Sequence, residues 1–444
     1  MSAKSGGRRS RERPRTSFRD VLAVREFRGM VISQVASEAG DQIARVALAL
    51  LVLAHTGSPL YAAATFAIAF IPSFLGGALL GPVADRFSRR SLMLGADLGR
   101  AALVVLLALV AVPSTPLWVL FGLLLLSQLF TPLFDSARAA TTPEVLGSVA
   151  LVTTGAALSR VLSLANQALG LVLGGLIVQL TSPRLALLLD GFSFLISFAV
   201  LVAFLTPRPS VLESTPSLPV LMRDLGRGFT MLMADRSRRA LVLLGWGMAL
   251  PLVAPEAVGL AYVARQGAPD IWGGILMASV VTGAAVGAVL VGRRSPRDQL
   301  DMVLPLAMLM SLPLLITGIE PPLWLLTLLW FSSGAAQAFL VPVMAFTTLL
   351  TPNERRGSVV GIAGAGFALL TSIGYLVVGW VATLTSPAFA VVVMAVVGLV
   401  VASASYVVWP AAHLRADVRA LEETGVSPRR SRREPSPRSG DDAR

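Results

Sequence analysis

Four polar residues recur at steps of four, three and four within an apolar stretch near the start of the chain: Gln34, Glu38, Asp41 and Arg45. On a helix those steps put all four side chains in a stripe about 60° wide. Ionisable groups in an apolar helix are costly to bury, and they mark a water-filled path or a paired site. Two chemistries fit the stripe. In one, Glu38 or Asp41 takes up and releases a proton as its surroundings and Arg45 change. In the other, the acids and Arg45 form an ion pair that positions the helix. A second stripe carries Arg160, Ser163, Gln167, Gly170 and Gly174. At about 1.5 Å per residue, Arg160 and Asp41 lie at similar depth, so the two could meet as a salt bridge or as competitor and proton site. Glu256, beside Pro251 and Pro255, is the acid from the second half of the chain that is expected to face a cavity, because prolines break a helix and free carbonyls to line one. It reads as a second proton site, a cation anchor or a satisfied structural acid. Gln128 and Gln337 are further cavity candidates. Asp97 and Arg100, three apart, are spaced to pair with each other.

The elements that must hold these residues are membrane spans. The 444 residues are 55% hydrophobic and 14% charged, far from the roughly one-quarter charged composition of a soluble domain. Apolar runs punctuated by Pro, Gly and Arg place helices near 28–54, 60–82, 91–112, 116–137, 149–181 and 185–206. Six more fall near 240–264, 271–292, 301–318, 322–350, 357–384 and 387–409. The expected class is an all-α membrane protein of twelve transmembrane helices. Its divisions are a disordered basic head (1–26), a six-helix half (27–206), a linker (207–239), a second six-helix half (240–410) and a largely disordered tail (411–444).

All but five of the 37 Lys and Arg fall in the head, the tail and the loops after even-numbered helices. Arg184 and Arg265 alone lie on the other side, and Arg45, Arg100 and Arg160 lie within helices. The positive-inside rule then puts both termini in the cytoplasm. The head has no apolar region before the first span and is read as no cleavable signal peptide. Its arginines lack interleaved aromatics, so they are read as solvated topogenic charge touching anionic lipid and not as a nucleic-acid site. No cysteine and two histidines exclude thiolate zinc, iron–sulfur and multi-histidine metal centres. Lys4 is the only lysine, which excludes a P-loop lysine and a Schiff base in the core. Neither cofactor nor metal is expected. A membrane-embedded transferase is disfavoured because no DDxxD motif occurs and the exported loops are short.

The two halves share an internal repeat. GLVLGGLIVQLTSP (170–183) and GYLVVGWVATLTSP (374–387) align at an offset of 204 residues, matching Gly170 with Gly374, Gly175 with Gly379, and LTSP letter for letter. Duplicated halves of this kind, with a site between them near the midplane, are a transporter architecture. The loop after the second span, GPVADRFSRR (81–90), resembles the major facilitator signature G-x-x-x-D-[RK]-x-G-[RK]-[RK]. Gly81, Asp85, Arg86, Arg89 and Arg90 match, and Ser88 replaces the second glycine, where positive φ would be strained. VGRRSPR (291–297) is a worn second copy. ISQVASEAGDQIARVALALLVLAHTGSPL (32–60) resembles the first helix of the drug and siderophore exporter branch of that superfamily, the enterobactin-exporter-like one. GLVLGG resembles its antiporter motif G-P-x-x-G-G, with Leu171 in place of proline.

The resemblance implies two pseudo-symmetric halves and secondary active efflux of a small amphipathic compound (drug, siderophore or secondary metabolite) in exchange for protons. It also puts an acid at Asp41, which makes Asp41 the first candidate for the proton. Asp85 is implied to sit opposite Gly357 and Ser358, at the amino end of the eleventh helix, where the helix dipole favours a carboxylate. That contact would lock the two halves in the outward-open state, tuned by Arg86, Arg89, Asp135 and Arg138. Gly170, Gly174 and Gly175 would let helices approach and slide. The implied setting is a bacterial inner membrane, with one chain working as a monomer. An importer or uniporter of the same fold is the alternative.

Overall fold

The computed structural model describes residues 17–79, 88–112, 114–208, 218–352 and 355–423. The first half comprises α1 (Phe18–Ala23), α2 (Arg25–Thr56), α3 (Pro59–Leu79), α4 (Arg89–Val110), α5 (Leu117–Gln128), α6 (Phe130–Leu146), α7 (Val149–Leu180) and α8 (Pro183–Phe204). Linker helix α9 (Leu218–Ala234) leads to α10 (Arg236–Leu252), α11 (Ala254–Arg265), α12 (Ile271–Gly292), α13 (Pro296–Leu315), α14 (Leu323–Ala336), α15 (Leu340–Leu349), α16 (Arg356–Leu384), α17 (Pro387–Val408) and α18 (Ala411–Glu423). Short 3-10 turns follow α13 and join α14 to α15. Among the described residues, ten helices or consecutive helix pairs are long and apolar enough to cross a membrane. The other two expected spans are α2, 32 residues long but striped with charge, and α3, whose apolar stretch is Pro59–Pro72. Large apolar side chains such as Trp118, Phe192, Leu290 and Val400 are exposed around the outside, as a lipid-facing surface requires.

The repeated LTSP is a helix-to-helix corner. Thr181 and Thr385 end α7 and α16 by donating back to the carbonyls of Ile177 and Val381, at 2.6 and 2.7 Å. Ser182 and Ser386 then cap α8 and α17, accepting from the amides of Leu185 and Phe389, with proline at the first helical position where its missing N–H costs nothing. Pro251 and Pro255 divide the seventh span, where α10 stops at Leu252 and α11 starts at Ala254.

Four expectations change. The fourth span does not end at 137: α6 runs on to Leu146 and stops at Gly147, whose φ of +65° suits glycine. The head is helical from Phe18, because Ser17 and Asp20 form a reciprocal capping box whose bonds also hold the Asp20 carboxyl below its usual range. The linker contains α9, which buries Leu232 against Val359 and Ala363 of α16. The tail begins with α18, which buries Leu414 and Val418 in the second half's core and is tied down by Ser237 to Asp417 at 2.6 Å and Arg415 to Asp301 at 2.9 Å. The helices α1, α9 and α18 are short and carry polar faces, so they do not register as spans.

The halves meet toward the arginine-poor face in two symmetric contacts. Gly175 of α7 leaves room for the start of α12, and Gly379 of α16 leaves room for the start of α3. Gln179 Oε1 accepts from the amide of Ile271 at 3.2 Å, and Thr383 Oγ1 accepts from the amide of Leu60 at 3.1 Å. Gln179 and Thr383 are themselves related by the 204-residue offset. Each half thus satisfies a free amide at the start of a helix in the other.

Candidate functional site

The stripe on α2 divides between two neighbours, because even 60° of arc is enough to aim at different helices. Glu38 turns toward α7: Ser163 donates to it at 2.8 Å and Gln34 at 2.9 Å. Gln34 also donates to the carbonyl of Ser159. Arg138 of α6 approaches Glu38 at 3.7 Å and Asp135 at 3.3 Å. Asp41 turns the other way and accepts from Arg100 of α4 at 2.5 Å, both side chains being largely buried. The Arg100 guanidinium also lies 4.0 Å from the ring centroid of Phe194, so it is held between a carboxylate and an aromatic face.

Around that pair a buried polar cluster fills the middle of the first half. Asp97 accepts from Ser197 of α8 at 2.5 Å, and Ser197 in turn is 2.6 Å from Ser33 of α2. The second oxygen of Asp97 is buried without a hydrogen-bond partner among the described residues. Asp190 of α8 is buried within electrostatic reach of Asp41, Arg100 and Arg45. Gly40 makes this approach possible, since a side chain there would overlap Ser193 and stand 2.5 Å from Asp190 Oδ1. A void of about 20 Å³, bordered by Asp41, Arg45, Arg100, Gln128 and Asp190, is room for about one water.

Arg45 links this cluster to the second half. It is within electrostatic reach of both Asp190 and Glu256, and its Nε is buried without a hydrogen-bond partner among the described residues. Tyr375 of α16 lies within electrostatic reach of Glu256. The Tyr375 ring is stacked on Phe66 and Phe70 of α3, with centroids 5.7 and 5.8 Å apart. Glu256 therefore sits where the halves touch, opposite an arginine of the other half.

Several sequence expectations are corrected by this geometry. Arg160 is exposed and does not meet Asp41, whose oxygen Arg100 occupies. Asp97 and Arg100 do not serve mainly each other, because Ser197 and Asp41 are their direct partners. Arg138 acts on Glu38 as well as on Asp135. Gln167 is half-buried on α7, and Gln337 is half-buried in the turn between α14 and α15. Gly170 and Gly174 pack against Gln42 and Val46 of α2, and Gly175 against the start of α12. These glycines are close-approach positions.

On the basic face, Gly81, Asp85 and Arg86 lie outside the described residues. Ser88 has φ −62° and caps α4 by accepting from Ser91, so no glycine is needed there. Arg89 pairs with Glu144 and donates to the carbonyl of Ala140 at 2.9 Å, while Arg90 donates to that of Val202 at 3.1 Å. The amino end of α16, where Asp85 was expected, is packed by α9 through Gly228 and Ser358.

Sequence reasoning missed Asp190, Ser33, Ser197 and Tyr375. Asp190 could have been found by the rule that selected Asp41, as a lone acid inside an apolar run. The serines and the tyrosine gave no such signal.

Two pseudo-symmetric helical halves around a buried charged seam define a membrane transporter of the major facilitator fold. A family profile described as transmembrane secretion effector, of the major facilitator type, matches residues 17–436, and the chain belongs to that family. It is 26% identical over 274 residues to the uncharacterized MFS-type transporter YfiS of Bacillus subtilis, a match covering 60% of this chain and 63% of YfiS. It is 33% identical over 90 residues to an uncharacterized MFS-type transporter of Mycobacterium tuberculosis, covering 20% of each. Among solved structures, the nucleoside transporter NupG matches with a TM-score of 0.65 at 14% identity, covering 88% of this chain and 99% of NupG. A bacterial homolog of the human lysosomal transporter Spinster, inward-facing and unoccupied, also matches at 0.65 and 14%, over 88% of this chain and 98% of that one. At such identities these structures speak for the fold alone.

Proposed function

We propose that the protein is a secondary active exporter that moves small amphipathic compounds out of a bacterial cell in exchange for protons. The carrying observation is the charge balance of the buried cluster. Counted as fully ionised, Asp41, Asp97 and Asp190 outnumber the guanidiniums of Arg100 and Arg45 by one, so one proton brings these five groups to neutrality. Arg45 reaches toward acids on both sides of the seam, Asp190 and Glu256. A proton arriving on the first-half acids weakens their hold on Arg45, and Glu256 then competes better for it. Proton occupancy is in this way linked to how the halves stand to one another. The family's description as a secretion effector supports the outward direction. The side bias of the arginines supports cytoplasmic termini, so the face closed by Gly175 and Gly379 is the outer one.

The test is proton movement in liposomes containing the purified protein, on adding a panel of amphipathic drugs and siderophores. Asp41→Asn and Asp190→Asn are measured beside the natural protein. Substrate-dependent proton flux that either variant abolishes is the expected result. Substrate moving without proton flux in the natural protein overturns the coupling and leaves a uniporter. Flux unchanged in both variants removes the cluster from the proton path.

A further inference from the structure

A cavity of about 720 Å³ opens on the arginine-poor face, outside the contacts that join the halves there. Its walls are largely apolar, from Leu50 and Leu53 of α2, Val178 of α7, Ala261 and Ala264 of α11, and Ala382 of α16. That volume is within the range of about 300–1,000 Å³ that accepts a drug-sized molecule. The charged groups lining it are Arg265 and Asp270. Arg265 is exposed at the end of α11. Asp270 is half-buried just before α12, and its carboxylate caps no amide of that helix. The amides that an N-cap side chain takes, those of Trp272 and Gly273, donate to the carbonyls of Pro269 and Asp270, and Gln179 from the other half takes that of Ile271. Burial raises the Asp270 carboxyl above its usual range, and among the described residues no cation pairs with it.

An apolar chamber with one half-buried, uncompensated carboxylate is complementary to an organic cation whose body is apolar. We propose that this outer cavity is a binding site for amphipathic organic cations, anchored by Asp270 and separate from the charged seam. Both halves supply its walls, and Thr383, which joins α16 to α3, lines it. Parting of the halves at this face takes the walls away from each other. A bound cation therefore favours the closed arrangement and slows the opening of this face. The site does not rest on the transport reading, since occupancy can be measured whether or not anything is carried.

The chain contains no cysteine, so a single Ala264→Cys gives one labelling point in the cavity wall. In proteoliposomes or nanodiscs, a membrane-impermeant maleimide labels it, and ethidium is added as the cationic probe. The expected result is that ethidium protects the thiol. The concentration for half-protection rises about two- to fivefold in Asp270→Asn, the worth of a partly exposed ion pair, and stays near the natural value in Asp270→Glu. The Asp270 side chain holds no helix cap, so neither change removes a structural contact of that kind. Anilinonaphthalene sulfonate, an amphipathic anion, protects more weakly than ethidium. Failure of the thiol to label overturns the open cavity. Equal protection in Asp270→Asn overturns the anchor, and stronger protection by the anion moves the anchor to Arg265.

Discussion

Gly379→Ala tests whether the contact between α16 and α3 is what closes the arginine-poor face. A Cβ at this position stands 2.8 Å from both Leu60 Cα and Ala63 Cβ, and 3.1 Å from the Pro59 carbonyl oxygen. Ordinary carbon–carbon contact is about 3.5–4.0 Å, so α16 and α3 must separate by roughly 0.7–1.2 Å at the point of contact. None of the three opposing atoms can be moved by a rotamer change. Overpacking of this kind costs about 1–3 kcal/mol, and that cost falls on the closed arrangement alone if the helices part when the face opens. The ratio of closed to open then falls about 5- to 150-fold. The readout is pulsed electron–electron distance measurement on Arg184→Cys with Gln266→Cys, exposed sites on opposite halves of the closed face. The long-distance population is expected to grow in Gly379→Ala. It grows less in Gly175→Ala, where the nearest atom is 2.9 Å away and the next 3.2 Å. It stays unchanged in Gly122→Ala, where nothing lies within 4 Å. A lower melting temperature with an unchanged distance distribution refutes the reasoning, because the contact then persists in both arrangements.

Removing either trans-acting helix cap, by Gln179→Ala or Thr383→Ala, shifts the same distance distribution toward the open form by about 0.5–2 kcal/mol, the usual worth of such a cap. The two add when combined, since they sit on separate helix pairs. Arg100→Leu strands Asp41 in a buried position and lowers stability by about 3–5 kcal/mol in detergent melts, and adding Asp41→Leu recovers most of that. Asp270 gives a pH signature with a defined sign. Its pKa in the folded chain lies above the usual 3.8, so its contribution to stability is complete below that value and is lost as pH rises through the folded value. Ethidium protection of Ala264→Cys runs the opposite way, weakening on acidification at a pH above 3.8, because the cation needs the carboxylate. Arg265 is the other charged group on the cavity.

The spans were legible because hydropathy records contact with lipid, which each helix makes on its own. The LTSP corner was legible because capping is local: a Ser–Pro pair sets the start of a helix wherever it stands. Lateral order is not local. Nothing along α2 says whether Asp41 looks toward α4 or α7, and the depth argument that brought Arg160 near it could not choose between neighbours at equal depth. Asp190 and Tyr375 fall in the same class, because their importance comes from which helices surround them. The short helices α1, α9 and α18 escaped for another reason. Their apolar residues are too few for a span, and only the packing of Val21, Leu232 and Leu414 shows that they are ordered.

The two kinds of residue that carry this structure are distributed differently. The elements that close the arginine-poor face come in pairs at one offset: Gly175 with Gly379, Gln179 with Thr383, and Ser182 with Ser386. The charges do not. The first half holds Asp41, Asp97, Asp190, Arg45 and Arg100 in its middle, and the second half answers with Glu256 at the seam. A duplicated frame can rock symmetrically with no chemistry at all, since its contacts are packing and caps. An unpaired set of charges on one side gives that motion something to depend on. Substitutions among the paired glycines are therefore expected to change how far apart the halves stand while leaving the cluster's excess of one negative charge intact. Substitutions among Asp41, Asp97 and Asp190 change that excess while leaving the Gly175 and Gly379 contacts in place.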